Sequence, residues 1–195
     1  INNAFDFSNK KPQFPICTIT RLVQRKGTDL TLQALHGLVH NNGLQDIIFY
    51  IAGRGPEKEN LEQLVIKLNL EDNVVFLGYI SEEEKVALLN NSKIFVMPSH
   101  DRDNVDWEGF GISYMEASFF GLPVIGGSTG GIKEAIVENK TGFCIHSKNS
   151  DDAVKEIEDR ILFLYQDHDQ LNNIGTYGKT FARQFTWDKL VPLEL

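Results

Sequence analysis

Cysteine is scarce in this chain of 195 residues, which contains only Cys17 and Cys144. Each lies inside an apolar run, and the sequence has no Cys-x-x-Cys spacing and no Cys/His cluster. This pattern excludes a disulfide framework and predicts two buried thiols. The scarcity of cysteine also favours a reducing, intracellular setting, and we expect the protein to be cytoplasmic.

Long apolar runs and an excess of basic charge are also absent. No stretch of about 18 apolar residues and no basic-then-apolar leader occurs, so the sequence predicts no membrane span. Lys and Arg number 19 against 27 Asp and Glu, which gives a net charge of −8. This balance argues against a nucleic-acid partner and against attraction to an anionic membrane. A phosphorylated small molecule remains possible, because it needs only a few well-placed cations.

Short apolar runs alternate with amphipathic stretches along the chain. Because the runs are rich in β-branched and aromatic residues and show no in/out alternation, they predict parallel strands covered on both faces. The predicted strands are Ile16–Thr20, Ile47–Ala52, Val74–Leu77, Ile94–Met97, Val124–Gly126 and Gly142–Ile145. The sequence therefore predicts an α/β fold with an open parallel sheet of about six strands.

Helices are predicted between these strands and at the C-terminus. Apolar residues recur at three- and four-residue spacing in Leu30–Val39 and Leu61–Leu68, and also in Val86–Leu89 after a capping box at Ser81–Glu84. The segments Ser150–Tyr165 and Asp169–Leu190 contain no convincing strand and are predicted to be helical. The polar residues 1–14 are interpreted as a linker that leads into the domain.

The loop after the first predicted strand carries basic residues. In an open parallel sheet, ligands bind at the carboxyl ends of the strands. Arg21 and Lys26 can reach one oxyanion together if this loop curls back, with Gly27 turning the chain into the next helix. A solvated basic loop is the equally good alternative.

The loop after the second predicted strand contains Gly53, Arg54 and Gly55, followed by Pro56. Pro56 suits the first position of a helix. The pattern lacks the third glycine of a dinucleotide fingerprint and follows the wrong strand, so a tight turn is favoured over a ligand contact.

The segment from Trp107 to Ala117 is the most informative. A glycine-bearing loop opens an apolar helix there, so free N–H groups and the positive end of the helix dipole converge on an anion site. Glu116 is the only charged residue between Gly109 and Lys133, and a carboxylate on such a helix is costly unless it is hydrogen-bonded. Two interpretations remain open: an ion pair or cap with a neighbouring element, or a carboxylate that accepts the hydroxyls of a ribose. Glu108 faces the same crevice and can hold further hydroxyls.

One acidic motif has the spacing of a metal site but is interpreted as not binding a metal. Asp101-Arg102-Asp103 has the spacing of an Asp-x-Asp metal motif, but it lies in a polar loop without a second ligand cluster. A solvated charge run is favoured, and we predict no metal site.

Several short motifs occur together in a characteristic order. They are Thr20–Leu22, Lys26-Gly27, Phe76–Tyr79, Glu108–Ala117, Gly121–Ile125, Gly130–Glu134 and Phe185–Trp187. With this set, the chain resembles glycosyltransferase family four from about Pro15 to Trp187. The resemblance implies the C-terminal, Rossmann-like half of a GT-B enzyme, with helices on both faces of the sheet. Residues 1–14 then form an interdomain linker, residues 15–180 bind the nucleotide sugar, and residues 181–195 form a helix that crosses toward an absent N-terminal domain.

The resemblance also implies a role for each motif residue. Arg21 and Lys26 are implied to bind the donor pyrophosphate and stabilise the leaving diphosphate. Glu108 is implied to bind sugar hydroxyls, and Glu116 to bind the ribose hydroxyls. The segment Gly109, Phe110, Gly111 and Ile112 is implied to hold the sugar and distal phosphate through its amides. The turn of Gly78, Tyr79 and Ile80 is implied to receive the base, with Gly53 nearby.

The implied reaction is transfer of a hexose with retention of configuration, without a metal or other cofactor. The implied donor is a nucleotide diphosphate sugar, either GDP-mannose or a UDP-sugar. A long loop at His100–Asp106 resembles the lipid and polysaccharide mannosyltransferases. The acceptor is a glycan or a lipid-linked molecule, bound by the absent domain, through which any membrane contact is made. The isolated chain is expected to be inactive, and its abrupt start favours excision from a longer protein.

One turn departs from the family pattern in its charge. The family usually has an acidic residue where Arg54 stands, which reverses the charge of that turn. A non-catalytic nucleotide-sugar-binding module, or one subunit of a split enzyme, is the main alternative. A nicotinamide-dependent oxidoreductase is disfavoured, because no Gly-x-Gly-x-x-Gly follows the first strand.

Overall fold

The computed structural model describes residues 14–100, 111–128, 130–147 and 149–185. Within them, six parallel strands form one sheet in the order β3-β2-β1-β4-β5-β6. The strands are β1 (Phe14–Ile19), β2 (Ile47–Ala52), β3 (Val74–Gly78), β4 (Ile94–Met97), β5 (Val124–Gly127) and β6 (Gly142–Ile145). The predicted open parallel sheet is confirmed.

Helices connect these strands and cover both faces of the sheet. They are α1 (Thr28–His36), α2 (Lys58–Lys67), α3 (Glu82–Asn91), α4 (Ile112–Phe119), α5 (Ile132–Ala135), α6 (Ser150–Gln166) and α7 (His168–Ala182). Successive strand residues point to opposite faces, so Ile16 joins one apolar cluster and Cys17 the other. Helices α1, α2 and α6 pack in the first cluster, whereas α3, α4 and α5 pack in the second. The predicted helices on both faces are confirmed.

The chain termini are described only in part. Phe14, the last residue assigned to the linker, is buried in β1 and pairs with Ile47. At the other end α7 stops at Ala182 and a 3₁₀ turn follows at Arg183–Phe185, so the helix predicted to reach Leu190 ends earlier. Residues 1–13 and 186–195 lie outside the described part of the chain, and the helix predicted to cross toward a second domain stays a prediction.

Helix α2 begins later than predicted. Pro56 lies in a turn and not in the helix, which starts at Lys58. The Glu57 amide donates to the Leu22 carbonyl at 3.1 Å. This bond ties the turn to the loop after β1, and the helix can begin only beyond it. The prediction for Pro56 was therefore wrong because a neighbouring loop set the start of the helix.

Helix α3 begins as predicted. The Ser81 hydroxyl accepts from the Glu84 amide at 3.2 Å, and the Glu84 carboxylate accepts from the Ser81 amide at 2.7 Å. Both bonds satisfy N–H groups that a helix start leaves without partners. The capping box is therefore confirmed.

Among the described residues, no helix is both long enough and apolar enough to cross a membrane.

Candidate functional site

The candidate site lies where the strand order reverses. β1 and β4 are neighbours, and the strands that follow each of them lie on opposite sides of this pair. The connections at the carboxyl ends of β1 and β4 therefore lead away from each other and leave a crevice between them. The loops after Ile19 and Met97 border this crevice.

The loop after β1 carries both predicted cations. Arg21 is exposed, and Lys26 is buried at the end of a 3₁₀ turn. Gly27 follows in the left-handed region with φ of +68° and turns the chain into α1, as predicted. A Cβ atom at Gly27 would stand 2.4 Å from the Pro98 carbonyl oxygen, so only glycine lets the loops after β1 and β4 meet there. The structure thus places both cations at the switch point.

The loop after β2 packs against the loop after β1. The Leu22 amide donates to the Arg54 carbonyl at 2.9 Å. A Cβ atom at Gly53 would lie 1.7 Å from the Thr20 carbonyl oxygen, and one at Gly55 would lie 2.1 Å from the Leu22 carbonyl oxygen. These contacts give the glycines a structural role and favour the tight-turn interpretation. The assignment of Gly53 to donor binding stays a prediction.

Arg54 pairs with an aromatic ring of the next loop. Its guanidinium carbon lies 5.5 Å from the centre of the Tyr79 ring, within the range of a cation–π contact. Tyr79 is 73% exposed, which is unusual for so large an apolar ring. The arginine that departs from the family pattern therefore adjoins the turn predicted to receive the base.

That turn follows β3 directly. Gly78 has φ of +67°, and its carbonyl accepts from the Gly53 amide at 2.7 Å. Ile80 is half-buried and packs against the apolar cluster under α3 and α4. The structure therefore brings Gly53, Gly78, Tyr79 and Ile80 together at the carboxyl edge of β2 and β3. Their contacts with a base stay a prediction.

Helix α4 presents its N-terminus beside the switch point. Gly111 precedes it with φ of +73°, and no side chain among the described residues caps the helix. The first N–H groups of an uncapped helix attract an anion. Ile112, the first helical residue, is 70% exposed. Glu108, Gly109 and Phe110 lie outside the described residues.

Glu116 forms an ion pair with the neighbouring helix. Its Oε1 atom accepts a hydrogen bond from Lys85 Nζ at 2.8 Å, and the same ammonium lies 2.8 Å from Glu82 Oε2. The hydrogen bond to Glu116, followed by that to Glu82, raises the pKa of Lys85 despite partial burial. The structure therefore shows the ion pair that was one of the two interpretations of Glu116. Its binding to a ribose stays a prediction.

Sequence reasoning missed two kinds of residue at this edge. Lys85 carried no signal, because its partner lies 31 positions away. The hydroxyls of Thr18 and Ser99 are buried near the ends of β1 and β4, and neither has a hydrogen-bond partner in the described structure. Such hydroxyls keep unused hydrogen-bonding capacity at the switch point.

No group of three or more His, Cys, Asp or Glu within the described ranges could hold a metal ion. The acidic motif Asp101-Arg102-Asp103 lies outside those ranges. Its interpretation as a solvated charge run stays a prediction.

The strand order, together with a basic loop and a helix N-terminus at the switch point, defines a Rossmann-like domain of the nucleotide-binding type. Comparison with known proteins specifies it further. Residues 2–181 match the glycosyl transferases group 1 family, and the chain belongs to that family. The resemblance noted from the motifs is thereby confirmed.

Relatives and solved structures agree with this assignment. The chain is 32% identical over 177 residues to a GDP-mannose-dependent alpha-(1-6)-phosphatidylinositol monomannoside mannosyltransferase of Mycobacterium tuberculosis, covering 90% of this chain and 44% of the relative. It is 25% identical to the C-terminal domain of the group 1 protein LpcC from Francisella tularensis, with a TM-score of 0.73 and coverage of 89% and 87%. Anabaena HepE in complex with UDP-glucose has the same fold, with 22% identity, a TM-score of 0.75 and coverage of 88% and 44%. The chain thus spans less than half the length of the curated relative.

Proposed function

We propose that this chain is the donor-binding domain of a retaining glycosyltransferase, which moves a hexose from a nucleotide diphosphate sugar to a glycan or lipid-linked acceptor. One observation carries the proposal. Two cations on the loop after β1, Arg21 and Lys26, lie at the same switch point as the N-terminus of α4. Both features attract a diphosphate, although the whole chain has a net charge of −8.

The donor is held by separate parts of the site. Arg21 and Lys26 bind the diphosphate, and the amides of Gly111 and Ile112 hold the distal phosphate and sugar. Glu116 accepts hydrogen bonds from the ribose hydroxyls. The base lies against the turn at Gly78–Ile80, beside Gly53.

The residues outside the described part of the chain complete this site in the proposal. Glu108 binds sugar hydroxyls, and Gly109 and Phe110 continue the run of amides that begins α4. All three precede Gly111 directly in the sequence. Their roles rest on the family motif alone.

In the chemical step, the site stabilises the negative charge that develops on the leaving diphosphate. The bond between the anomeric carbon of the sugar and the diphosphate oxygen breaks, and its electron pair stays with the diphosphate. Fixed cations and amides then stabilise the added negative charge without reorganising, so the domain itself needs neither a metal nor another cofactor. The acceptor hydroxyl forms the new bond on the same face of the sugar and gives its proton to the oxygen of the departing diphosphate.

In the proposal, a second, N-terminal domain supplies the acceptor site. GDP-mannose is the favoured donor, because the M. tuberculosis relative is GDP-mannose-dependent. A UDP-sugar is the alternative, because HepE was solved with UDP-glucose. We place the enzyme in the cytoplasm, with any membrane contact made through the other domain.

Nucleotide binding tests the proposal. We expect one of GDP, UDP or ADP, or its sugar conjugate, to raise the melting temperature equally with magnesium and with EDTA. A ligand at 100 times its dissociation constant adds about 2.7 kcal/mol to the free energy of unfolding. Arg21→Ala is expected to abolish the shift, whereas Lys67→Ala removes a cation from the far end of α2 and is expected to keep it. Absence of a shift with every nucleotide would contradict the proposal.

A further inference from the structure

We propose that Lys85 is a positioning residue, which holds the Glu116 carboxylate in place for the ribose hydroxyls without touching the nucleotide itself. This inference rests on the proposed role of Glu116 in donor binding. It assigns a function to a residue of α3, a helix to which the motifs gave none.

The ion pair occupies only part of the Glu116 carboxylate. Lys85 Nζ lies 2.8 Å from Oε1. No hydrogen bond in the described structure engages Oε2. A carboxylate offers about four lone-pair sites on its two oxygens. One oxygen is therefore fixed, while the other keeps its capacity for a pair of adjacent hydroxyls.

The pair is better protected from water than an ordinary surface ion pair. The Lys85 side chain is 19% exposed and that of Glu116 is 38% exposed. Partial removal from water strengthens a charge-assisted hydrogen bond, whereas fully exposed pairs contribute little. The bond therefore restrains a long carboxylate side chain before a ligand arrives. Such preorganisation improves affinity because less motion is lost on binding.

Lys85 is itself held in place from its own helix. Its amide donates to the Ser81 carbonyl at 2.8 Å, in the first turn that the capping box defines. Its ammonium also contacts Glu82, whose side chain is largely exposed. The two carboxylates raise the pKa of Lys85 and keep it protonated at neutral pH. The first turn of α3 thus places the positive charge of Lys85 beside Glu116 on α4.

Ligands that lack the ribose hydroxyls show whether the effect of Lys85 depends on those hydroxyls. The dissociation constants of GDP and UDP are compared with those of their 2′,3′-dideoxy analogues, which lack both hydroxyls. Lys85→Met keeps a similar length and removes the charge. For whichever of GDP and UDP binds more tightly, we expect this variant to raise the dissociation constant about tenfold. The dissociation constant of the matching dideoxy analogue is expected to stay unchanged to within about twofold. Lys85→Arg is expected to restore most of the affinity, and Lys67→Met on α2 serves as the matched control.

Each other outcome has a distinct meaning. Equal weakening of both ligands overturns the inference, because Lys85 then acts on the base, on the phosphates or on the fold. Unchanged affinity for the complete diphosphate overturns it as well. If Lys85→Met fails to fold, as judged by circular dichroism, Lys85→Gln takes its place in the same comparison. Failure of the wild-type chain to bind any of GDP, UDP and ADP defeats the proposed function, whereas failure to prefer the complete ribose defeats only the role of Glu116 and with it that of Lys85.

Discussion

The phenol of Tyr114 donates a hydrogen bond to the backbone carbonyl of Met97 at 2.5 Å, and both residues are buried. Tyr114 lies in the first turn of α4, and Met97 is the last residue of β4. The bond therefore joins the helix that begins at the candidate site to the strand beside the switch point. The Tyr114 ring also meets Phe95 edge-on, with centroids 6.0 Å apart, and lies under Gly111. The start of α4 is thus fixed by buried packing before any ligand binds.

Tyr114→Phe is expected to lower the free energy of unfolding by about 1 kcal/mol. The ring and its packing remain, and the Met97 carbonyl still accepts from the Ser99 amide at 2.7 Å. Urea unfolding measures the change. Tyr177→Phe is the control, because Tyr177 is half-exposed. Its effect on the free energy of unfolding should stay within about 0.5 kcal/mol. Equal losses for the two variants would mean that the buried bond contributes nothing.

Gly53→Ala is expected to be far more destabilising than Gly78→Ala. At Gly53 the added methyl meets the Thr20 carbonyl oxygen at 1.7 Å, and φ is +138°. Relief requires movement of the loop that carries Arg21, so we expect a loss of roughly 3 kcal/mol or more. At Gly78 nothing lies within 4 Å of the added atom, and the left-handed φ alone costs about 1–2 kcal/mol. Similar losses in urea unfolding would show that the contact between the loops is not rigid.

Ser81→Ala is expected to lower the free energy of unfolding by about 1 kcal/mol, because it removes the acceptor for the Glu84 amide. Hydrogen exchange is expected to accelerate at the amides of Glu84 and Lys85, which the first turn of α3 protects. Ser150→Ala is the control, since Ser150 begins α6 but Asn149 supplies the cap. Unchanged exchange at both amides would contradict a structural role for the capping box.

Stability is expected to fall at high pH partly through Cys17. Complete burial raises the pKa of this thiol from 9.0 to about 12, although a hydrogen bond with Ser92 opposes the shift. Because the folded pKa is higher than the unfolded one, the contribution is fully present below pH 9.0 and is lost as the pH rises toward 12. The loss approaches about 1.4 kcal/mol per pH unit.

The variant Cys17→Ala isolates this contribution. Its free energy of unfolding is expected to fall less steeply than that of the wild type between pH 9 and pH 10.5, in the window of the Cys17 shift. Urea unfolding at several pH values measures both slopes. Parallel slopes would show that the folded protein accommodates the thiolate.

Much of the fold was predictable because its signals are local. The apolar runs at Ile47–Ala52, Ile94–Met97 and Gly142–Ile145 coincide with β2, β4 and β6, since buried parallel strands have apolar residues on both faces. The capping box at Ser81 was equally predictable, because both of its residues lie within one helical turn. The start of α2 could not be predicted in this way. The turn before this helix is held by a hydrogen bond to the carbonyl of Leu22, which is distant in sequence.

By itself, the sequence determined the alternation of strands and helices, the family, and the loops that supply the candidate site. Only the tertiary structure decided which side chains of these loops and helices meet. Lys85 and Glu116 lie 31 positions apart, and their contact depends on α3 and α4 packing on the same face of the sheet. The pairing of Arg54 with Tyr79 depends in the same way on β2 and β3 being neighbours. A local pattern indicates how each segment folds, whereas contacts between segments depend on the order in which the strands assemble.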